Sequence, residues 1–186
     1  MKKLLSIIAV LFCAMALTVC ESTQENIKKT GCIDGDCVNG KGMYIWTDGA
    51  RYYGTFKDAK FNGTGEYKYP DGKIYTGEYK DGKMHGQGAL VFTDGKKYSG
   101  EFKDNEMNGN GELIYPDGKK YIGEIKDGCA DGQGIFLWPD KSKYVGEFQK
   151  NVMQGKGRLI YPDGRVFEGE FVNGILIDKK SEKKVK

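Results

Sequence analysis

Residues 75–95 read YTGEYKDGKMHGQGALVFTDG, and this stretch decides the fold. Its first five residues alternate as a strand does, with every second side chain on the same face. Asp81-Gly82 favours a two-residue hairpin turn, because both positions tolerate positive φ. Residues 88–92 provide a return strand, and Asp94-Gly95 then turns the chain again. The stretch therefore predicts one β-hairpin that leads directly into another.

This hairpin pattern recurs along the chain with a period of 23 residues and no insertion. One aromatic column contains Tyr52, Tyr75, Tyr98, Tyr121, Tyr144 and Phe167. A column three residues later contains Thr55, Glu78, Glu101, Glu124, Glu147 and Glu170. Six repeats are essentially complete from near Gly31, and the seventh, from Phe167 to Leu176, is half a copy. Because each turn joins neighbouring strands, we expect a local antiparallel meander of roughly fourteen short strands.

A Gly-x-Gly pair also recurs in each repeat, as at Gly86 and Gly88. Glycine inside a strand marks a bend or a close approach of another group. Both glycines fall at the start of the return strand, on the face that carries the aromatic columns. We expect the missing side chains to leave room for the ring of a neighbouring strand, such as that of Tyr75.

The pattern Y-x-G-E-F-x-x-G-x-x-x-G-x-G-x-x-x-x-x-D-G at this period resembles the MORN repeat (membrane occupation and recognition nexus). The close matches are residues 75–95, 98–118 and 144–164. Lys141 replaces the usual glycine of one turn, and Thr55 replaces a glutamate. The resemblance implies an all-β, elongated, single-layer antiparallel meander of about 6–7 β-hairpin repeats over residues 31–177, with a groove. It also implies a role in membrane association, oligomerisation or protein scaffolding, without catalysis by the repeats.

The first 19 residues have the composition of a signal peptide. Lys2 and Lys3 precede an apolar run from Leu4 to Leu17, which has the length of a secretory signal and is short for a membrane span. Ala14-Met15-Ala16 fits an ordinary cleavage site. Leu17-Thr18-Val19-Cys20 resembles a bacterial lipobox, although Val19 stands where Gly, Ala or Ser is usual. Two forms are open: a lipoprotein anchored to a membrane of the bacterial cell envelope through Cys20, and a soluble exported protein that is periplasmic or secreted.

The charge pattern excludes a strongly electrostatic nucleic-acid binder, since the net charge is only +3 for 186 residues. Residues 20–30 are expected to form a polar tether and residues 178–186 a Lys-rich C-terminal tail. The tail carries the basic charge, so the repeats themselves have no basic bias. His85 is the sole histidine, which excludes His-rich metal sites and a His–His catalytic pair. We expect no metal, no cofactor and no small-molecule substrate.

Cys32 and Cys37 lie in the first repeat, and in an oxidising compartment they could close a short loop as a disulfide. Such a bond would staple the N-terminal edge strand, where a meander is most prone to pair with other chains. Two free thiols or half of a metal site are the alternatives. Cys129 has no evident partner and is expected to be an exposed free thiol.

The glutamate column invites a comparison with glycosidases, which use a pair of carboxylates. An active site needs one asymmetric pair with different pKa values, whereas a ladder of equivalent acids offers none. We therefore expect these glutamates to form hydrogen bonds with neighbouring strands or lysines. A carbohydrate-active enzyme stays a remote alternative.

The aromatic columns supply the candidate partner-binding face. A single-layer sheet has little to bury its rings against, so we expect part of this face to be covered by strong twist, by a protein partner or by a second copy of the chain. The candidate residues are Tyr75, Tyr79, Phe92, Tyr98, Phe102, Tyr115, Tyr121, Trp138, Tyr144, Phe148 and Tyr161. The sequence thus favours a non-enzymatic interaction module; direct phospholipid binding by the repeats and the basic tail is the alternative.

Overall fold

The computed structural model describes the backbone of residues 30–184 and the side chains of residues 30–177. The expected signal peptide, Cys20 and nearly all of the expected tether lie outside the described residues. The strands are β1 (Gly31–Gly35), β2 (Lys41–Ile45), β3 (Arg51–Lys57), β4 (Lys60–Lys68), β5 (Ile74–Lys80), β6 (Lys83–Val91), β7 (Lys97–Lys103), β8 (Glu106–Ile114), β9 (Lys120–Lys126), β10 (Cys129–Leu137), β11 (Lys143–Gln149), β12 (Val152–Ile160), β13 (Arg165–Val172) and β14 (Ile175–Lys184).

All fourteen strands belong to one antiparallel sheet whose spatial order is the order of the sequence. Residues 30–184 contain no helix. The predicted all-β meander is therefore confirmed. Each pair of strands forms one hairpin, so the sheet consists of seven hairpins laid side by side.

The hairpin tips have the geometry that their sequence predicts. Asp81 and Gly82, between β5 and β6, have φ values of 50° and 85°, as a two-residue turn with two left-handed positions requires. Successive tips are also hydrogen-bonded: the Gly82 amide donates to the Phe61 carbonyl at 2.8 Å, and the Asn105 amide donates to the Met84 carbonyl at 3.1 Å. These bonds fix each repeat against the one before it.

A β-bulge interrupts the pairing inside each central hairpin. In β5 and β6, Gly77 pairs with Gly88 but Glu78 pairs with His85, which leaves two residues of β6 without a partner in β5. The Glu78 side chain bridges this gap, because its Oε1 accepts a hydrogen bond from the Gln87 amide at 3.0 Å. The same bond recurs in three more repeats: the amide of Asn110 donates to Glu101, that of Gln133 to Glu124 and that of Lys156 to Glu147.

A continuous row of glycines crosses the sheet at these bulges. Facing glycines pair from strand to strand: Gly42, Gly54, Gly65, Gly77, Gly88, Gly100, Gly111, Gly123, Gly134, Gly146, Gly157 and Gly169. The ring of Tyr75 covers two of them, since a Cβ on Gly77 would lie 2.5 Å from Tyr75 Oη. A Cβ on Gly88 would lie 2.6 Å from Cε2 of the same ring.

The five core tyrosines of the array lie over this glycine row and are almost fully buried. They are Tyr52, Tyr75, Tyr98, Tyr121 and Tyr144, each at most 1% exposed. Each hydroxyl donates to the carbonyl three residues later, as Tyr75 Oη does to Glu78 O at 2.9 Å. Burial raises the pKa of Tyr52, Tyr98, Tyr121 and Tyr144 to about 12 and also raises that of Tyr75. Glycines thus let a single-layer sheet bury large rings against its own backbone.

One expectation about the glycines is wrong. Gly86 does not make room for a ring, because a Cβ there would meet Glu78 Oε2 at 2.6 Å. Its φ of +60° also places it in the left-handed region, where glycine is favoured. Gly88, in contrast, makes room for Tyr75 as expected. The two glycines of the pair therefore serve two different neighbours.

The two ends of the array differ from the central repeats. Cys32 and Cys37 form a disulfide across the first connection, with Cα atoms 5.9 Å apart. Asp36 in that connection accepts hydrogen bonds from the amides of Val38 and Asn39, which lower its pKa. At the other end, β14 continues to Lys184 and pairs with β13, although the lysine-rich composition predicts a tail from residue 178. The seventh hairpin is complete because β13 offers that segment a row of backbone partners.

Candidate functional site

The structure divides the eleven predicted face residues into two groups. Those in the core, each at most 6% exposed, are Tyr75, Tyr79, Tyr98, Phe102, Tyr121, Tyr144 and Phe148. Those that keep partial exposure are Phe92, Tyr115, Trp138 and Tyr161. The buried rings need no second molecule to cover them, because the glycine row and the neighbouring repeats already do so. Of the two groups, the second can contact a partner without any movement of the folded chain.

The partly exposed rings belong to one longer row with a member in each of six repeats. We define the aromatic row as Trp46, Tyr69, Phe92, Tyr115, Trp138 and Tyr161, all partly buried. Each ring sits where a hairpin ends and the chain turns to the next one. For example, the Tyr69 amide donates to Lys73 O at 2.8 Å, and the Gly72 amide donates to Tyr69 O at 3.0 Å. The turn therefore fixes the backbone position of the ring.

Cations cover half of the aromatic row. Lys73 Nζ lies 3.8 Å from the centre of the Tyr69 ring, Lys96 Nζ lies 4.2 Å from that of Phe92, and the Arg165 guanidinium lies 4.8 Å from that of Tyr161.

The other three rings have no such cover. Buried Ala50 and Ser142 occupy the equivalent position beside the two tryptophans, Trp46 and Trp138. Beside Tyr115, Lys119 is instead paired with Asp117 at 2.7 Å. These three rings are therefore the members of the row that a ligand could reach without displacing a cation.

A groove of about 300 Å³ lies beside the row in the first four repeats. Its lining residues are Trp46, Phe61, Tyr67, Tyr69, Tyr79, Gly82, Met84 and Asn105. The rings touch one another: the centre of Trp46 lies 5.5 Å from that of Tyr67, and Tyr67 lies 4.5 Å from Tyr69. No lining side chain carries a formal charge, and Lys73 is the cation that lies over the lining ring of Tyr69. The groove therefore suits a neutral ligand that displaces this lysine from the ring.

Tyr79 is the unusual member of this lining. It is 6% exposed, and its hydroxyl oxygen is buried without a hydrogen-bond partner. Burial raises the pKa of this phenol. The corresponding residues of the other repeats are Phe56, Phe102, Ile125, Phe148 and Phe171. Tyr79 therefore brings the one hydroxyl of its column into the core.

Five residues that line the groove lie outside the predicted candidate face: Trp46, Phe61, Tyr67, Tyr69 and Met84. Trp46 and Tyr69 could have been found, because they occupy the same repeat column as Phe92 and Tyr115. Phe61 and Met84 carry a signal as well, because they share an apolar repeat column with Met107, Ala130, Met153 and Leu176. Phe61 pairs with Phe56 and Met84 pairs with Tyr79 across their hairpin tips.

The glutamates and the free cysteine do not form a second site. Four carboxylates of the column bind the backbone at their own bulges, which agrees with the expected structural role. Cys129 is a free thiol at the start of β10, but it is partly buried rather than exposed. Among the described residues, no group of three or more His, Cys, Asp or Glu is placed to hold a metal ion. Within the same part of the chain, no helix has the length and apolarity for crossing a membrane.

Comparison with known families agrees with this geometry. The profile of the MORN repeat matches residues 39–51, 52–74, 75–97, 98–120, 121–143 and 144–164. The chain belongs to the MORN-repeat family. Five of the matched segments begin on the aromatic column that contains Tyr75, so the family pattern coincides with the tyrosines that cover the glycine row. MORN repeats are a non-catalytic fold and serve as structural or interaction modules. No curated protein matches the sequence.

Among solved structures, the array is similar to the TCP domain of SAS-4 (dCPAP) from Drosophila melanogaster, in complex with a proline-rich motif of Ana2 (dSTIL). The two chains are 13% identical with a TM-score of 0.51, and the match covers 75% of this chain and 77% of the other. It is also similar to the CPAP G-box domain at 22% identity and a TM-score of 0.33, over 70% of this chain and 93% of that one. At these identities the likeness to the TCP domain concerns the fold alone.

Proposed function

We propose that this MORN array is a non-enzymatic interaction module that docks an extended segment of a protein partner along its aromatic row. The observation that carries the proposal is the row itself, with one partly exposed ring in each of six repeats. A regular row of rings on a rigid sheet offers repeated, evenly oriented contacts. An extended peptide repeats its backbone at regular intervals and can contact several rings, whereas a compact ligand would contact only one ring.

The chemistry of the groove favours a segment rich in proline. Aromatic-lined grooves bind polyproline II segments, which are preorganised and expose flat prolyl rings. The groove has no charged lining residue, so it offers no counter-charge to an acidic or basic segment. The TCP domain, which shares the fold, was captured with a proline-rich motif, and this adds support for the same class of ligand here.

Titration of a fluorescein-labelled decaproline peptide, followed by fluorescence anisotropy, tests this proposal. We expect the protein to bind decaproline and not a Gly-Ser peptide of equal length. Trp46→Leu should weaken binding about tenfold or more, because buried tryptophans are frequent hot spots. The matched control is Tyr53→Leu, since Tyr53 is 54% exposed on the opposite face of the sheet and should leave affinity unchanged. Equal effects of the two variants, or no binding of decaproline, would refute docking in the groove.

The proposed location is the bacterial cell envelope, with Cys20 as the lipid-attachment residue. Support comes from the sequence of residues 1–20, which has a basic start, an apolar run and a lipobox-like end. The intact mass of the mature protein, produced with its own signal in a bacterium, tests this part. A start at Cys20 with added acyl mass supports an anchored module, and a start near Thr18 without lipid supports a soluble exported one.

Direct phospholipid binding is the second candidate, and the lysines of β14 are the observation that favours it. They are Lys179, Lys180, Lys183 and Lys184. Each lysine near an anionic surface can contribute about 1 kcal/mol. Flotation with phosphatidylserine vesicles, using protein that lacks residues 1–20, tests whether the folded chain binds lipid. Loss of flotation when the four lysines are changed to glutamine would indicate that β14 binds the lipid. Flotation that survives this change would indicate that the other strands of the repeats bind it.

Self-association is a further form of the interaction role. Ile175 and Ile177 on the last strand are 66% and 63% exposed, and β14 ends the sheet. An exposed apolar edge strand can pair with another chain. If this edge pairs with a second copy, sedimentation velocity should show a dimer of the unaltered protein. The Ile177→Lys variant should then sediment as a monomer.

A further inference from the structure

The buried hydroxyl of Tyr79 has no hydrogen-bond partner among the described residues. Polar groups in protein interiors nearly always have a hydrogen-bond partner, and a buried hydroxyl without one is less favourable than the phenyl ring of phenylalanine. The five core tyrosines obey this rule, as Tyr75 Oη does by donating to Glu78 O at 2.9 Å. Tyr79 Oη is buried without such a partner.

Packing does not require the hydroxyl either. Phe56 and Phe102 occupy the same column in the preceding and following repeats, and they are buried at 4% and 3% exposure. The ring of Tyr79 packs edge-on against Tyr75, with centres 5.1 Å apart, and Phe102 packs against Tyr75 in the same way at 4.8 Å. A phenyl ring would therefore fill the position of Tyr79. The hydroxyl must be explained by something outside the core.

The groove beside Tyr79 presents neutral donors. The amide of Asn105 already uses its Oδ1 to accept from the Met84 amide at 2.9 Å, which leaves its Nδ2 group as a donor. Trp46 contributes an indole N–H, and Tyr69 contributes another hydroxyl to the lining. An occupant of this groove should therefore be rich in acceptors and uncharged.

We infer that Tyr79 is a specificity-determining residue of the groove, and that its hydroxyl donates a hydrogen bond to a backbone carbonyl of a proline-rich segment. This inference rests on the proposed function. A run of prolines has no backbone N–H groups, and in the polyproline II conformation its carbonyls form no internal hydrogen bonds. Such a segment supplies acceptors without donors, which complements the donor-rich groove.

A lining side chain must move for the bond to form, because Tyr79 Oη is out of contact with solvent in the free groove. We assign this movement to Met84, which is 8% exposed and lies in the same lining. Methionine is unbranched and adapts its shape more readily than the aromatic rings around it. The segment would then lie across Trp46 and, once Lys73 moves off its ring, across Tyr69, with one carbonyl directed at Tyr79.

The test compares Tyr79→Phe with the unaltered protein in the decaproline titration. Loss of one neutral hydrogen bond should raise Kd about fivefold. The free protein should become more resistant to urea, because the substitution removes an unpartnered buried hydroxyl. Tyr75→Phe is the matched control: it removes a satisfied hydroxyl, so it should lower the urea midpoint and leave Kd unchanged.

The outcomes separate this inference from the proposed function. If decaproline binds the unaltered protein and Tyr79→Phe with equal Kd, the role of Tyr79 is overturned while groove docking stands. If Tyr75→Phe weakens binding as much as Tyr79→Phe, the effect is structural and the inference is again overturned. If the unaltered protein binds cellohexaose and not decaproline, both the inference and the proposed function fail. A selective effect of Tyr79→Phe on Kd, with a raised urea midpoint, supports the inference.

Discussion

Gly88→Ala tests whether glycine makes the single-layer core possible. Gly88 lies in β6 opposite Gly77, under the ring of Tyr75. An added Cβ would lie 2.6 Å from Tyr75 Cε2 and 2.7 Å from Cζ, and closer still to Oη. The ring has little freedom to move away, because Tyr75 is fully buried and its hydroxyl is bonded to Glu78 O.

The expected magnitude combines three effects. Overpacking of a dense core destabilises by about 1–3 kcal/mol. Displacement of the ring would also lose the tyrosine hydrogen bond, which contributes about 1 kcal/mol. Against these, alanine in a strand is more favourable than glycine by about 0.5–1 kcal/mol. The φ of Gly88 is not in the left-handed region, so no backbone strain is added. We expect Gly88→Ala to lower the free energy of unfolding by about 2 kcal/mol.

A double-mutant cycle with Tyr75→Leu isolates the contact between the ring and residue 88. Urea unfolding, together with hydrogen exchange of the β5 and β6 amides, measures the stability of this hairpin. Without the tyrosine ring, Gly88→Ala should become neutral or stabilising, because only the strand preference remains. Ala89→Gly is the control, since Ala89 is exposed on the opposite face and should lose only about 0.5–1 kcal/mol. An equal loss from Gly88→Ala in both backgrounds would refute the proposed packing of ring on glycine.

Three further predictions concern a turn, a bulge and the core tyrosines. Lys141 has a φ of 69° where the other repeats have glycine, so Lys141→Gly should raise the urea midpoint by the equivalent of about 1 kcal/mol, whereas Lys143→Gly within β11 should lower it. Thr55→Glu should stabilise the second hairpin by about 1 kcal/mol in the same assay. The new carboxylate can accept a hydrogen bond from the Thr64 amide, as the other glutamates do at their bulges. No change in stability would show that the carboxylates are dispensable. Stability should be full below pH 10, the ordinary pKa of tyrosine, and fall as pH rises toward about 12, because the unfolded chain releases protons that the folded chain keeps. The fall should be at most about 1.4 kcal/mol per pH unit for each of Tyr52, Tyr98, Tyr121 and Tyr144. Circular dichroism and tyrosinate absorbance should therefore change together above pH 10, and tyrosinate formation without unfolding would contradict the burial of these phenols.

Local chemistry made the fold predictable from sequence. Asp81-Gly82 encodes its turn through φ preferences alone, and the same turn recurs at each tip of the central repeats. A constant period then forces each hairpin to pair with its neighbours, so no long-range choice is left open. The end of the array was less predictable: residues 178–184 have a polar, lysine-rich composition, yet they pair with the exposed edge of β13.

The burial of the tyrosines could be predicted only in part, from the expected fit of the Tyr75 ring over Gly88. It depends on Gly77 and Gly88 lying opposite each other, on adjacent strands, under one ring. It also depends on a bulge that directs the carbonyl of Glu78 toward the hydroxyl of Tyr75. The sequence of one strand predicts a stripe of aromatic residues, but it does not indicate whether twist, a partner or a second copy covers them. The cross-strand register turns most of that stripe into core.

This change of environment also changes the argument for a partner. The aromatic residues as a whole do not require a partner, since rings such as those of Tyr98 and Tyr144 are covered by their own chain. A partner is favoured instead by rings that stay partly exposed, above all Trp46, which lines the groove and has no cation of the described residues above it. Tyr79 strengthens it from the opposite direction, because its hydroxyl is buried where phenylalanine serves the neighbouring repeats. The partly exposed ring of Trp46 and the unpartnered hydroxyl of Tyr79 therefore line the same groove. A single neutral, acceptor-rich ligand would account for both.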